Sequence, residues 1–343
     1  MIDKNIILDI ANTIESNKIN EVLVAPNLLE LINYLRSKKI VCLNEANSQR
    51  PSLRDNISCI VDFSEILKHE SSTNLTFENL IKRKHHHQET LSTLNLANSI
   101  LNKDGSVTIF CPKQYNVSIV KKYLLCAKFI NVQFNNNVIT AKKREFVKYT
   151  FDRVKMTFEE TNSPDIIEHI QYFAKGLFKN NNFDLSIDDL FVQNSDFFVC
   201  YRTNTKEIVS FLRFTWYLPN YPLPCMLATI EGTETHIILE DPDSNNYGEV
   251  FSPLITTISS VKAYKEIGKA FYAHCLHNDI TYLFTTFNRD EPETGEFFKK
   301  TFGFADTGTT LKYGNFGGRW GLLKGDKTGM IPQIENLFKM KKQ

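Results

Sequence analysis

Short apolar runs alternate with amphipathic stretches through the first part of the chain. "EVLVAPN" reads as a buried strand, and "LLELINYLRSKK" spaces its leucines and isoleucine as an amphipathic helix does. "IVCLNEAN" and "ISCIVDF" supply two further strands, so strands and helices take turns and predict a parallel, layered sheet. A polar, irregular stretch follows from Leu67 to about His87. Beyond it, "ETLSTLNLANSILNKDG" puts Leu91, Leu94, Ala97 and Leu101 at helical spacing, with Gly105 as the stop. The strand "SVTIFCP", the helix "NVSIVKKYLLCAKF" and a hairpin, "INVQFNN" with "NVITAKKREF", turned at Asn135 to Asn137, complete this unit.

The remainder has a different rhythm. "VKYTFDRVKMTF" reads as strand. "SPDIIEHIQYFAKGLFKNN" reads as a helix with Ser163 as N-cap, Pro164 in the first turn and an apolar stripe of Ile167, Ile170, Phe173 or Ala174, and Leu177. "DFFVCYRTNTKEIVSFLRFTWYL" is a hairpin about the polar turn "TNTKE". After the proline-rich "YLPNYPLPCM" come the strands "HIILE" and "GEVFSPLITTISS", the helix "YKEIGKAFYAHCL", the strand "ITYLFTTFN" and the helix of "EFFKKTFGFADTG". "TLKYGN" and "RWGLLKG" are the last strand-like runs. The seam falls within "KKREFVKYTFDRVKMTFEE", between 143 and 156, with no Gly/Ser linker; we divide the chain into domains 1–147 and 148–343.

With 343 residues, 42% hydrophobic and 23% charged, both domains have material for ordinary cores. A formal net charge of +1 gives no bulk electrostatic case for a nucleic-acid partner. The seven cysteines are scattered, with no CxxC spacing, and most sit beside Val, Ile, Leu or Phe, as in "IVCLN" and "FFVCYR". That pattern fits buried thiols in a reducing compartment. No apolar run is long enough to span a bilayer, so the expectation is a cytoplasmic protein with no membrane span. "KRKHHHQE", residues 82–89, reads as a solvated basic loop or helix start rather than a metal site. Three adjacent histidines cannot point one way, and no acidic or cysteine partner lies at ligand spacing.

The first unit's order of helix, "KDGSVTIF", helix, "AKFINVQF" and "NVITAKK" resembles the C-terminal part of class I methyltransferases. Asp104-Gly105 and Ala127-Lys128-Phe129 stand where that family has its turn before the strand and the end of its next helix. The resemblance covers about residues 20–145 and implies a Rossmann-like sheet. The family's methyl-donor site needs a glycine-rich turn after the first strand, whereas "VLVAPNLLEL" has Pro26 and Asn27 there and no glycine. Glu45 is the candidate ribose partner. The unit is therefore expected to lack an intact S-adenosylmethionine site and to dock or present a substrate.

The second unit's order of strand, helix, hairpin, strand, helix, strand, helix, strand resembles the GCN5-related N-acetyltransferase (GNAT) superfamily over about residues 148–325. "KEIGKA", Lys265 to Ala270, matches the family's Q/R-x-x-G-x-G/A loop except for lysine at the first position; Asn288 follows the "LFTTF" strand, and "FFKKTFGF" matches the next helix and its ending. The fold class expected for the whole chain is α/β, a Rossmann-like, methyltransferase-like parallel sheet domain followed by a GNAT mixed α/β domain.

The GNAT resemblance implies acetyl-CoA or a longer acyl-CoA as donor and a small-molecule or peptide amine as acceptor. It implies a pyrophosphate held on backbone N–H groups at a helix start by Lys265, Glu266, Ile267, Gly268, Lys269 and Ala270. Ile258, Ser259 and Ser260 are then expected at the thioester end of the central strand, with Asn288 on the next. An ammonium must lose a proton before it attacks, and Glu249, with Glu240 behind it, is the expected base. Where the family has a tyrosine acid the chain has Phe298 and Lys299, which leaves Lys299, Tyr282 or water to protonate the thiolate. The long segment "LPNYPLPCMLATIEGTETHIILEDPDSNNYGEVFSPLI" is similar to the N-acyl amino acid and acyl-homoserine-lactone synthase branch. That likeness implies an acyl carrier protein as donor, with Trp216, Tyr217 and Tyr221 lining an acyl or substrate tunnel. Two other readings remain open: a non-catalytic binding module of two degenerate folds, and an S-adenosylmethionine-dependent methyltransferase in the first half.

Overall fold

A computed structural model describes residues 4–338 apart from 17, 20, 26–27, 39, 43–52, 64–76, 113–114, 152–154, 178–190, 220, 238–245, 253–257 and 314–317. The chain divides into two compact units, Met1–Glu145 with Leu218–Tyr221, and Phe146–Tyr217 with Pro222–Gln343.

In the first unit, strands β1 (Glu21–Val24), β2 (Val41–Cys42), β3 (Arg54–Ile60), β4 (Leu101–Phe110), β5 (Phe129–Asn135) and β6 (Val138–Lys143) form one sheet in the order β2-β1-β3-β4-β6-β5. The first four are parallel to their neighbours, and β5–β6 adds an antiparallel hairpin to β4. Parallel strands covered on their faces are apolar throughout, as Val22, Leu23 and Val24 are, and these pack beneath helices α1 (Lys4–Ser16) and α2 (Leu29–Ser37). Helix α4 (Val117–Cys126) starts at Asn116, whose side-chain oxygen accepts the N–H groups of Ser118 and Ile119.

Two expectations for this unit need correction. The stretch Leu67–His87 is not wholly irregular, and "KRKHHHQE" is neither a loop nor a helix start. Helix α3 spans Phe77–Ile100 and runs through the histidine run. His87 is buried, its Nδ1 against the Tyr123 hydroxyl and its ring stacked on that tyrosine. Apolar contact beneath one face of a polar segment stabilises a helix that composition alone does not suggest. Gly105 does not stop this helix, which ends at Ile100. Asp104 takes the left-handed turn at φ 62°, and Gly105 lies within β4, where an added Cβ would stand 2.9 Å from the Asn102 carbonyl. Glu45, Pro26 and Asn27 lie outside the described residues.

In the second unit, nine strands make one mixed sheet, and the order of elements decides where its two faces look. Strands β7 (Lys148–Phe151) and β8 (Met156–Thr161) lead to α5 (Pro164–Leu177). The hairpin β9 (Ser195–Arg202) and β10 (Ile208–Trp216) leads through the short β11 (Thr229–Ile230) to β12 (Asn246–Phe251). Helix α6 (Ile258–His277) crosses to β13 (Ile280–Asn288). Helix α7 (Glu293–Phe302), β14 (Ala305–Lys312), β15 (Trp320–Asp326) and α8 (Lys327–Phe338) follow. The sheet order is β11-β14-β15-β13-β12-β10-β9-β8-β7, antiparallel at every pairing except β12 with β13.

Alternation along the strands separates the faces. Phe197, Val199, Tyr201 and Phe211 pack on α5, whereas Phe198, Phe214 and Trp216 turn to the other face, around Phe271 and His274 of α6. On the α6 face the Trp216 indole N–H donates to Asp196 Oδ2 at 2.6 Å, and His274 Nε2 lies 3.3 Å from the same oxygen. Helix α7 ends on Gly303 at φ 71°, the left-handed conformation that glycine adopts at least cost. No helix of the described residues is long and apolar enough to cross a membrane.

Candidate active site

The pairing of β12 with β13 stops before either strand does. Their parallel ladder runs from Asn246↔Ile280 to Glu249↔Phe284. Past that rung, Val250 and Phe251 pair only with β10, at Phe214 and Arg213, while Thr285 to Asn288 pair only with β15, at Leu323 to Trp320. The two central strands therefore part at Glu249 and Phe284. Main-chain edges face one another across the opening without a shared ladder, as a ligand inserting between strands requires.

Glu249 stands at that fork. It shares a rung with Thr215 of β10 and is two residues from Tyr247, so its side chain lies on the face occupied by α5 and by the 3-10 turn Pro224–Leu227. The first N–H groups of such a turn have no acceptor inside it. One of them, the Cys225 N–H, donates to Glu249 Oε2 at 2.7 Å. Burial pushes the Glu249 carboxyl up to about 7, opposed by the Cys225 N–H and thiol and by the Arg213 charge. Such a group changes between proton acceptor and donor near neutral pH. Around it, Tyr217 stacks on Tyr247 with centroids 4.4 Å apart, and Tyr313, packed edge-on against Trp320, joins the same cluster within electrostatic reach of Glu249 and Cys225.

Several expected site residues sit elsewhere. The central strand does not run to Ser260: β12 ends at Phe251, and Ile258, Ser259 and Ser260 form the first turn of α6. Lys265, Glu266, Ile267, Gly268, Lys269 and Ala270 are correspondingly not at a helix mouth but in the middle of α6, where backbone N–H groups are taken by the helix itself. The β-branched residues of "LITTIS" favour strand by propensity, and the apolar spacing from Ala263 through Ile267 to Phe271 draws the helix start back instead. Ile267 and Gly268 are buried, Lys265 is exposed, and Lys269 pairs with Glu266 at 3.1 Å. The Tyr149 hydroxyl donates to the same Glu266 carboxylate.

Asn288 closes β13, and its Oδ1 accepts the Asp290 N–H at 3.0 Å. Trp216 packs in the core on the α6 face, away from Glu249, and Tyr221 belongs to the first unit, its ring 5.3 Å from His87; of the three proposed tunnel residues only Tyr217 shares the Glu249 cluster. On α7, Phe298 is buried among Phe302 and Phe304, and Lys299 pairs with Glu296. Lys324 covers the Tyr282 ring at 4.2 Å. Glu240 lies outside the described residues. Sequence reasoning missed Cys225 and Tyr313, for which no spacing signal exists. Among the described residues no cluster of three or more His, Cys, Asp or Glu side chains could hold a metal ion.

No protein-family model matches the chain, and no curated protein does. Among solved structures it is similar to acyl-transferring enzymes, N-acetyltransferases and an N-acyl amino acid synthase, over about half its length. The synthase, FeeM from uncultured soil microbes, is 12% identical with a TM-score of 0.39, over 54% of this chain and 98% of its own. Ribosomal-protein-S5-alanine acetyltransferase from Vibrio fischeri is 11% identical, TM-score 0.34, over 54% and 98%. An N-acetyltransferase from Staphylococcus aureus Mu50 is 12% identical, TM-score 0.34, over 50% and 97%.

Proposed function

We propose that the second unit is an acyl-CoA-dependent N-acyltransferase that moves an acyl group from a thioester to an amine by direct attack. The observation that carries this reading is the parting of β12 and β13 at a buried carboxylate poised near neutrality. The pantetheine arm enters the opening and pairs with the strand edges as a short extra strand does. Its diphosphate lies on the N–H groups of the first turn of α6, at Ile258, Ser259 and Ser260, because a helix start offers free donors and the positive end of the dipole. Residues 265–270, inside the helix, have no such donors to offer.

Glu249 takes the proton from the acceptor ammonium. The freed amine attacks the thioester carbonyl, and backbone N–H groups along the open edge of β12 hold the developing oxyanion. Tyr217 and Tyr247 supply an apolar wall for the acceptor, a small-molecule or peptide amine. The donor is acetyl-CoA or a longer acyl-CoA, and an acyl carrier protein would present the same pantetheine thioester. We read the first unit as methyltransferase-like, in keeping with four parallel strands followed by an antiparallel hairpin, and as a docking element because "VLVAPN" lacks glycine.

The test is thiol release from acetyl-, octanoyl- and palmitoyl-CoA in the presence of a panel of amino acids, polyamines and peptides. Amine-dependent release with at least one pair is expected. Its absence with every pair, together with absence of acyl-CoA binding, would leave the non-catalytic module as the better account.

A further inference from the structure

A base that takes a proton from an acceptor must be reachable by it, and Glu249 is 5% exposed. On its carboxylate sits the 3-10 turn Pro224–Leu227, whose Cys225 N–H donates to Glu249 Oε2 at 2.7 Å. An amine that enters to be deprotonated has to present its own N–H to that carboxylate. The turn therefore holds the position the acceptor needs, with a backbone amide where the acceptor nitrogen would donate.

Polar contact fastens this turn to the sheet lightly. Among the described residues, the main-chain bonds of residues 222–228 close within the segment, Met226 N–H to the Leu223 carbonyl at 2.9 Å and Ala228 N–H to the Cys225 carbonyl at 3.2 Å. The Leu223 N–H meets Met226 Sδ at 3.4 Å. The Cys225 N–H is the exception that reaches a strand. The rest of the hold is apolar, with Leu223, Cys225, Met226 and Ala228 buried in one cluster with Tyr247 and Phe284. Strand pairing resumes at β11, where Thr229 and Ile230 pair with Lys312 and Leu311 of β14, and Gly232 follows at φ 80° with open space around it. A segment held by apolar burial, with few main-chain bonds to the sheet and a paired strand beside it as a hinge, opens at far lower cost than the strands beneath it.

We propose that this turn is an autoinhibitory flap: closed, its Cys225 N–H occupies Glu249, and the acceptor amine enters by displacing it. This rests on the acyltransferase reading above and adds a closed, inactive state to it. The acceptor's apparent affinity is its intrinsic affinity scaled by the open fraction, so a change that weakens closure without touching Glu249 tightens apparent binding. Met226 is such a handle. Its side chain is 8% exposed, lies on the turn and is assigned to neither donor nor acceptor.

The experiment applies two readouts to the whole protein, as wild type and as Met226→Ala. The first is alkylation of Cys225 by iodoacetamide, followed by peptide mass spectrometry, with buried Cys200 of the same unit as the internal reference. Cys225 reacts only when the turn lifts. It should be labelled about tenfold or more faster than Cys200 in the wild type and about tenfold faster again in the variant, with Cys200 unchanged. The second readout is acyl transfer from acetyl-CoA to the panel of amino acids, polyamines and peptides above. KM for the amine should fall about tenfold in the variant with kcat within about threefold, whereas a purely structural side chain would lower kcat or raise KM. Met226→Leu, which keeps the volume, should match the wild type in both, and Met226→Val replaces the alanine variant if that one does not fold. Cys225 labelling no faster than that of Cys200, or an amine KM unchanged where labelling has accelerated, would overturn the flap. A wild type that acylates no amine would instead refute the acyltransferase reading, while the labelling still decides whether the turn opens.

Discussion

Glu249→Gln separates the electrostatic cost of the buried carboxylate from its chemical use. Glu249 is 5% exposed, and its folded carboxyl is raised from an ordinary 4.5 to about 7, chiefly by burial. A carboxyl raised on folding favours the native state fully below its unfolded value, and this contribution is lost as pH climbs to the folded value. At about 1.4 kcal/mol per pH unit, the loss between the two values amounts to about 3 kcal/mol. Glutamine keeps an oxygen that can accept the Cys225 N–H and never ionises.

Urea unfolding of the wild type and Glu249→Gln, followed by tryptophan fluorescence at about pH 5, 6, 7, 8 and 9, measures the difference. The variant should gain on the wild type as pH rises, by about 3 kcal/mol in all, with little further change above about pH 8. Over the same range its acyl transfer should be about 100-fold or more below the wild type's. A stability difference that does not vary with pH would refute the buried, poised carboxylate, whatever happens to activity.

Two further substitutions test the packing that positions the cleft. Gly321 on β15 leaves room for the Phe287 ring, and an added Cβ would lie 2.2 Å from it, so Gly321→Ala should cost about 1–3 kcal/mol in chemical unfolding; a neutral result would contradict the contact. Trp216→Phe removes the indole donor from buried Asp196 and should cost about 2–4 kcal/mol with acyl-CoA binding retained, because the ring faces α6 rather than Glu249. Loss of binding at unchanged stability would return Trp216 to the ligand site.

Elements whose signals were local were readable in the sequence. "ITYLFTTFN" is β13 to the residue, and the hairpin about "TNTKE" is β9 with β10, because aromatic and β-branched runs there are bounded by polar turns. Where two local signals competed, tertiary contact decided. Ile258 and Ser259, at the end of the β-branched "LITTIS", lie in a helix, and the polar "KRKHHHQE" is helical, with His87 buried against the Tyr123 hydroxyl. The candidate site was readable in the same partial way. Glu249 could be picked out on a strand, but its burial depends on a turn at Cys225 in a proline-rich segment of no periodicity. Tyr313 reaches the site only because β14 and β15 fold back beside β13. The expected pyrophosphate loop lies inside a helix for a related reason: "KEIGKA" matches a motif whose meaning depends on where the helix begins, and α6 begins earlier.

The central claim is that the gap between β12 and β13 receives a pantetheine thioester whose diphosphate rests on the start of α6. Calorimetric titration of the whole protein with acetyl-CoA and longer acyl-CoAs tests it most directly. The account predicts saturable binding of one molecule per chain, displaced by free CoA and weakened for dephosphorylated pantetheine thioesters. The absence of heat with every thioester, or binding indifferent to the diphosphate, would contradict it.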